Sequence, residues 1–210
     1  MILALDIGGT SVKMGLSDNH GALYAREEVS VCFDGYQTPV IDTVIQSATR
    51  FLARHSVSIR GVGVSAAGQI DDRRGVIIGT NGKIPHYEGT CIKERLERAL
   101  GVPVWALNDA NAAVLGECFA GRGRGCQNTV MLTLGTGVGG GLVLNGTLYS
   151  GSRGIAGELG HFTLYQDGLK CPCGKRGCLE QYASVTALIR RAHAAVPEME
   201  WNGRKVFERA

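Results

Sequence analysis

The sequence lacks the features that mark membrane-bound, secreted or nucleic-acid-binding chains. No apolar run reaches the roughly 18 residues typical of a membrane span, and the opening MILALDIGG has neither the basic start nor the long apolar core of a secretory leader. The net charge of +3 over 210 residues is too small to indicate nucleic-acid binding by itself. We therefore expect a cytoplasmic protein with no membrane or nucleic-acid partner.

A disulfide framework is also disfavoured. The cysteine count of seven is odd, no redox-type C-x-x-C occurs, and a reducing compartment opposes disulfides. Four cysteines are scattered, namely Cys32, Cys91, Cys118 and Cys126. The other three lie together in CPCGKRGC, residues 171–178, among proline, glycine and basic residues that are untypical of a protein core. These three thiols therefore need another explanation.

Metal binding explains the clustered thiols best. Together with a histidine ten positions upstream they form the pattern His-x9-Cys-x-Cys-x4-Cys, made of His161, Cys171, Cys173 and Cys178. Four soft ligands suit a tetrahedral Zn²⁺ with no open position, which is a structural site. The C-x-C spacing is tighter than the usual C-x2-C, so the spacing alone is moderately specific. We expect the ion to fold a loop that is too poor in apolar residues to fold by itself.

Glycine is abundant, at 31 of 210 residues, about double the usual ~7%. Two glycine-rich corners separate β-like runs in LALDIGGTSVKMGL and TVMLTLGTGVGGGLVL, and Gly8 and Gly135 lie 127 positions apart. We interpret these stretches as an internal repeat in which each of two lobes opens with a β-hairpin. Strand-like and helix-like segments alternate along the chain, which predicts an α/β fold.

The two corners are candidate phosphate-binding sites. Backbone N–H groups in glycine-rich turns bind anions, although no Walker A motif is present. Thr10, Lys13 and Thr136 would assist, and Asp6 at the end of the first strand could orient a hydrated Mg²⁺. The alternative is that both corners are simply tight hairpins, but two matched corners favour phosphate.

Asn108-Asp109 stands at the predicted start of an alanine-rich helix. An aspartate there is most often a helix cap. The helix dipole also favours its ionised form, and an ionised Asp109 could accept a proton from a substrate hydroxyl during phosphoryl transfer. We expect a low pKa for this carboxyl, so that orienting the hydroxyl matters more than early deprotonation.

The coarse element pattern predicts strands at residues 2–6, 12–16, 24–31, 59–65 and 102–107. A helix is predicted to open at Pro39 with Thr38 as its cap. The segment GRGRG at 121–125 marks an exposed connection. We predict an N-terminal α/β lobe over residues 1–119 and a partial C-terminal lobe over 120–210, with a zinc-binding loop at 157–180.

Taken in order, DIGGT, NDANAA, LGTGVGGG, GELGH and CPCGKRGCLE resemble the ROK family of repressors and sugar kinases. The resemblance runs from residue 2 to about 190 and includes every fixed position of C-x-C-G-x-x-G-C-x-E, which ends at Glu180. It implies an α/β fold of the actin-like (ribonuclease H-like) ATPase type, with two lobes and a central cleft. It also implies ATP-dependent phosphorylation of a hexose hydroxyl, commonly at C6.

The resemblance further implies residue roles. Asp109 would be the general base. The sugar would be held by Asn108, Asp109, Glu158, His161 and Glu180, with Gly68 and Asn81 lining its pocket. ATP would lie at the two corners, formed by Asp6, Gly8, Gly9, Thr10, Lys13, Gly135, Thr136 and Gly137. Zinc would be held by His161, Cys171, Cys173 and Cys178.

Two departures from the family pattern and two alternative functions bear on this interpretation. Ser65-Ala66-Ala67 replaces the proline-rich turn of many family members, and relatives have around 300 residues, so the second lobe is expected to be incomplete. A sugar-responsive regulator of the same family would need a helix-turn-helix ahead of DIGGT, for which we expect no room. A non-catalytic sugar-binding protein is disfavoured by the retained Asp109. Glucose, N-acetylmannosamine, fructose, allose and β-glucosides remain possible substrates, and the family resemblance favours a homodimer.

Overall fold

The computed structural model describes residues 1–80, 82 and 84–209. The predicted sugar contact Asn81 lies outside the described residues. The strands are β1 Ile2–Ile7, β2 Ser11–Ser17, β3 Leu23–Ser30, β4 Val62–Ala66, β5 Gln69–Asp71, β6 Val76–Gly79, β7 Val104–Asn108, β8 Thr129–Leu134, β9 Val138–Leu144 and β10 Thr147–Leu148. The α-helices are α1 Val40–His55, α2 Ile92–Leu100, α3 Asp109–Ala120, α4 Glu180–Ala183, α5 Val185–Ala195 and α6 Gly203–Glu208, and a 3-10 turn spans Leu159–His161.

A five-stranded mixed sheet forms the first lobe, in the order β3-β2-β1-β4-β7. Strands β1, β2 and β3 are antiparallel neighbours, whereas β4 pairs parallel with both β1 and β7. The carboxyl ends of β1, β4 and β7 therefore meet at one edge of the sheet, where ligands bind in open α/β folds.

The main core lies between this sheet and helix α1. Alternate residues of β1 are buried, and Val44, Ala48 and Phe51 of α1 are fully buried against the sheet. The apolar spacing within residues 40–52 predicted this stripe, and the structure confirms it.

The second lobe has a three-stranded sheet in the order β10-β9-β8, and helix α3 packs on β8 and β9. The glycine run of β9 permits this packing. A Cβ atom at Gly141 would lie 2.6 Å from a Val114 methyl carbon of α3, and one at Gly140 would lie 2.7 Å from the Leu159 side chain. Bare backbone at these positions lets α3 and the turn containing Leu159 lie directly on the strand.

The repeat predicted from the sequence has a structural counterpart. Both β1–β2 and β8–β9 are antiparallel hairpins, and the predicted glycine corners connect their strands. The predicted boundary between residues 119 and 120 stays a prediction, since α3 contacts β4 and β7 of the first sheet as well as β8 and β9.

Several local predictions were wrong. Helix α1 begins at Val40 after an N-cap at Pro39, so Thr38 lies one position before the cap and does not cap the helix. The third strand spans Leu23–Ser30 instead of 24–31. The short hairpin β5–β6 and helix α6 were not predicted.

No described helix combines the length and the apolar character required to cross a bilayer.

Replacing Phe51 with alanine should destabilise the fold strongly. The ring is fully buried, so its loss removes apolar contacts and leaves a cavity, at a cost of about 3–5 kcal/mol in the free energy of unfolding. Phe33→Ala is the matched control because Phe33 is 64% exposed, and it should change that free energy by less than about 0.5 kcal/mol. Urea unfolding measures both, and equal losses would contradict the assigned core.

Candidate active site

Three chain segments leave the same edge of the first sheet and build one wall of a cleft. The Gly8 corner follows β1, the Ala67-Gly68 turn follows β4, and Asn108-Asp109 follows β7. Parallel pairing of β4 with β1 and β7 places these segments side by side. The predicted residues Gly8, Gly68, Asn108 and Asp109 are thus brought together by strand topology.

Asn108 fixes the start of helix α3. Its side-chain oxygen accepts hydrogen bonds from the backbone N–H groups of Ala110 (3.0 Å) and Asn111 (3.4 Å), while its amide donates to the Gly68 carbonyl at 2.8 Å. The cap is therefore Asn108, and the capping role considered for Asp109 is wrong. Asp109 is instead the first residue of α3, and its carboxylate accepts one hydrogen bond, from the Ala110 N–H.

Gly68 is required by its backbone. Its φ of +100° is unfavourable for other residues, and a Cβ atom there would lie 2.9 Å from the Gly79 carbonyl oxygen. The turn therefore holds its carbonyl in place for Asn108.

The pKa of Asp109 is raised, which corrects the low value expected from the helix dipole. Burial is the largest cause, and the nearby charge of Asp6 raises it further, while a 2.8 Å hydrogen bond from the Ala110 N–H opposes the shift. Desolvation therefore outweighs the favourable field of the helix N-terminus. A raised pKa suits a general base better than the low value we expected.

The second lobe contributes two more carboxylates to the cleft. Burial raises the pKa of Glu158; His161 opposes this shift, while the charges of Asp109 and Glu180 add to it. Glu158 lies 3.8 Å from Nε2 of His161. Glu180 accepts a 3.0 Å hydrogen bond from the Val138 N–H at the start of β9. These predicted sugar contacts thus converge with Asp109.

Two hydrogen bonds fix the backbone of the first glycine corner. The Gly8 N–H donates to the Ser11 carbonyl at 2.9 Å, and the Tyr36 hydroxyl donates to the Gly9 carbonyl at 2.5 Å. Asp6 accepts a 2.9 Å hydrogen bond from Ser65 and lies 3.6 Å from Nζ of Lys13. Its carboxylate is half exposed, at 50%.

The second corner is braced by helices α4 and α5. The Val185 N–H donates to the Gly135 carbonyl at 2.9 Å, and the Thr186 hydroxyl donates to the Thr136 carbonyl at 2.7 Å. A Cβ atom at Gly137 would lie 2.2 Å from the Glu180 carboxylate, so glycine lets this carboxylate approach the corner.

The two corners share one property that matters for anion binding. Within the described chain, no acceptor engages four backbone N–H groups, those of Gly9, Thr10, Thr136 and Gly137. Unpaired N–H groups in such turns are suitable donors to phosphate oxygens.

The predicted metal ligands form a compact cluster. The ligand atoms of His161, Cys171, Cys173 and Cys178 all lie within 4.8 Å of one another. Nδ1 of His161 is 3.6 Å from the Cys171 sulfur, and the Cys173 and Cys178 sulfurs are also 3.6 Å apart. Three thiols and one imidazole in this space are compatible with a structural zinc ion.

The electrostatics of the thiols also fit a bound cation. Burial, together with the neighbouring thiols, raises the pKa of Cys178 to about 12. For Cys173, burial is outweighed by hydrogen bonds from the Lys175 N–H and from the other thiols, so its pKa is lowered. A cation that stabilises thiolates removes the cost of ionising such a group.

His161 links this cluster to the cleft. Its Nδ1 faces the Cys171 sulfur, and its Nε2 faces the Glu158 carboxylate. A metal-bound histidine commonly donates its other N–H to a carboxylate. The arrangement is compatible with the predicted zinc-ligand role of His161, while its predicted contact with the sugar stays a prediction.

Three residues beside the site were missed by sequence reasoning. The Gln181 side chain lies 3.7 Å from the Cys171 sulfur, and Gln69 lowers the pKa of Glu158. The Tyr87 hydroxyl is buried without a partner among the described residues; burial and the Asp109 charge raise its pKa. Gln69 follows Gly68 and Gln181 follows Glu180, so adjacency to motif residues could have indicated both. No sequence signal marks Tyr87.

The mixed sheet of the first lobe and the hairpin sheet of the second are those of an actin-like α/β fold. The sequence profile of the ROK family matches residues 2–210, and the chain belongs to the ROK family. This confirms the family and fold class predicted from the motifs.

Similar proteins agree with this assignment. The chain is 37% identical to a glucokinase of Streptomyces coelicolor over 196 residues, covering 91% of this chain and 59% of that protein. It is 34% identical to a β-glucoside kinase of Listeria innocua, covering 98% of this chain and 68% of that protein.

A solved structure of a ROK family glucokinase from Streptomyces griseus, in complex with glucose and AMPPNP, superposes with a TM-score of 0.76 at 34% identity. That alignment covers 94% of this chain and 62% of the other. The chain thus spans about three fifths of the length of the Streptomyces proteins it matches.

Asp109→Asn should stabilise the protein at neutral pH. The folded-state pKa of Asp109 is raised above its ordinary value, so the stability linked to this carboxyl is present below its unfolded pKa and is lost as pH rises through the folded pKa. Asparagine keeps the acceptor oxygen without the charge. Urea unfolding should give the variant the larger free energy of unfolding at pH 7, with the difference shrinking below about pH 4. A difference independent of pH would contradict the shift.

Proposed function

We propose that the protein containing this chain transfers the γ-phosphoryl group of ATP to a hexose hydroxyl, most readily the one on C6. The observation that carries this proposal is the position of Asp109. Its carboxylate stands at the start of α3, solvent-accessible but partly desolvated by its surroundings, and lies within electrostatic range of Asp6 beside the first corner and of Glu158 in the second lobe. A sugar between Asp109 and Glu158 would face the phosphates held at the corners.

In the proposed reaction, the sugar oxygen bonds to the γ-phosphorus as the bond to the β,γ-bridging oxygen breaks. The hydroxyl proton passes to Asp109, and ADP leaves. The transition state is loose, so positioning and charge stabilisation dominate the rate. Burial of Asp109 supports its role as base because the raised pKa strengthens the carboxylate as a proton acceptor.

The proposed sugar contacts follow from the remaining hydrogen-bonding capacity. Glu158 and Glu180 would accept hydrogen bonds from sugar hydroxyls. Asn108 has little hydrogen-bonding capacity left for the sugar. Its side-chain oxygen caps α3, and one hydrogen of its amide group is donated to the Gly68 carbonyl. Its second amide hydrogen is the group that could reach the sugar.

The nucleotide would be held by backbone donors. The unpaired N–H groups at the two corners support binding of the phosphate chain, with Thr10 and Lys13 adding side-chain contacts. A Mg²⁺ ion would be oriented by Asp6, whose carboxylate is half exposed and whose present partners are Ser65 and Lys13.

A structural zinc ion would complete the second lobe. Bound by His161 and the three clustered cysteines, it would stabilise the loop and supply no step of the transfer. The Nε2 atom of His161 would then orient Glu158, so that loop folding supports the sugar site.

The similar proteins do not decide which sugar is the substrate. Similar proteins include enzymes named for glucose and for β-glucosides, and contacts within the pocket distinguish such substrates better than motifs do. The named relatives are kinases, so the alternative of a sugar-responsive regulator is not favoured.

ADP formation tests the proposed function directly. The purified protein with ATP and Mg²⁺ should release ADP on addition of at least one of glucose, N-acetylmannosamine, fructose, allose and a β-glucoside. Asp109→Asn should bind the same sugar, measured calorimetrically, but lose about 10²–10⁴-fold in kcat. Absence of sugar-dependent ADP release from the unaltered protein would contradict the function, and full kcat in the variant would remove Asp109 from its role.

Zinc removal should weaken sugar binding. The metal content measured by atomic absorption should be about one zinc per chain, and Cys178→Ala should abolish it because the buried thiol is a ligand. Cys126→Ala is the matched control, since Cys126 is exposed and outside the cluster. A verified zinc-free sample should lose sugar affinity by at least tenfold; unchanged affinity would contradict the link through His161.

A further inference from the structure

A seam joins the two lobes beside the candidate sugar site. One side is the β5–β6 hairpin of the first lobe, and the other is the segment 150–158 of the second lobe, which ends at Glu158. We call this contact the hairpin seam. The two segments run antiparallel along the seam. Three pairs of residues approach each other there: Gln69 and Glu158, Ile70 and Gly154, and Asp72 and Ser150.

The far end of the seam is a short hydrogen bond. The Ser150 hydroxyl donates to the Asp72 carboxylate at 2.6 Å, and both side chains are partly buried. Hydrogen bonds to a charged acceptor are stronger than neutral ones, and partial burial limits competition from water. This bond therefore ties the beginning of the segment to the hairpin.

The middle of the seam is a close backbone approach. Gly154 has a φ of +76°, and a Cβ atom there would lie 2.8 Å from the Ile70 carbonyl oxygen. Ile70 itself is almost fully buried. The segment thus lies directly on the hairpin backbone, and a larger residue at position 154 would push it away.

The near end of the seam reaches the site. A Cβ atom at Gly79 would lie 2.6 Å from Oε1 of Gln69, so the bare backbone of β6 makes room for the Gln69 side chain. The Gln69 side chain also lowers the pKa of the Glu158 carboxyl, so the two groups lie near each other. The first lobe therefore comes close to Glu158, a residue of the second lobe that is proposed to bind the sugar.

We propose that the hairpin seam positions Glu158 for the sugar, with Asp72 as a positioning residue. The Asp72–Ser150 bond and the close approach of Gly154 to Ile70 fix the segment that ends at Glu158. This inference rests on the proposed function, since it concerns the same sugar site. It predicts that breaking the seam weakens sugar binding more than it slows phosphoryl transfer.

The test compares Asp72→Ala with Asp72→Asn, which keeps an acceptor oxygen, and with Ser150→Ala, which removes the same bond from the other side. Glu28→Ala is the control, because it breaks a 2.6 Å hydrogen bond from Ser11 between two strands of the first sheet. With glucose as the probe sugar, Asp72→Ala and Ser150→Ala should raise KM about fivefold and change kcat less than twofold. Asp72→Asn and Glu28→Ala should behave like the unaltered protein.

Amide hydrogen exchange supplies a readout that does not depend on catalysis. Exchange in residues 150–158 should accelerate in Asp72→Ala and stay unchanged in Glu28→Ala. Faster exchange with unchanged KM would overturn the positioning role and leave the seam a purely structural tether. Unaltered protein without turnover of any tested hexose would overturn the proposed function and this inference together, whereas normal turnover with unchanged KM in the variants would overturn this inference alone.

Discussion

The arrangement of the site depends on the two hydrogen-bonding roles of one side chain, that of Asn108. Its oxygen satisfies N–H groups at the start of α3, and its amide holds the Gly68 carbonyl. A buried helix start with unsatisfied donors would be costly, so the cap is needed for α3 to begin where β7 ends. Because Asn108 is the N-cap, the Asp109 carboxylate accepts only the Ala110 N–H and remains partly desolvated and open to a ligand.

A second constraint is the accumulation of like charges. The charge of Asp6 acts on Asp109, the charges of Asp109 and Glu180 act on Glu158, and the pKa values of the partly desolvated Asp109 and Glu158 carboxyls are both raised. Such a site is unfavourable when empty of donors and cations. Sugar hydroxyls supply donors and Mg²⁺ supplies positive charge, so the proposed ligands would relieve the repulsion that the fold maintains.

Much of this could be predicted from local patterns. Strand periodicity and matched glycine corners predicted both hairpins, and helical spacing predicted the buried face of α1. The clustering of His161 with three cysteines followed from ligand chemistry and spacing. These features are encoded by residues close together in the sequence, or by residue types with few alternative uses.

The failures share a physical cause, which is tertiary context. The pKa of Asp109 depends on burial and on Asp6, 103 positions earlier in the chain, so the helix dipole alone gave the wrong direction. Asn108 is the cap of α3, and the same side chain also hydrogen-bonds Gly68, which lies 40 positions earlier in the chain. Likewise, the contacts of Gln69 and the burial of Tyr87 depend on segments that no local pattern brings together.

The central claim is that Asp109 aims a sugar hydroxyl at phosphates held by two backbone corners. The most direct measurement is a crystal structure of this protein with glucose and AMPPNP. The account predicts phosphate oxygens within hydrogen-bond distance of the free N–H groups at both corners, with the sugar 6-hydroxyl about 3 Å from the Asp109 carboxylate and aimed at the γ-phosphorus. Phosphates bound away from the corners, or a sugar with no hydroxyl near Asp109, would contradict it.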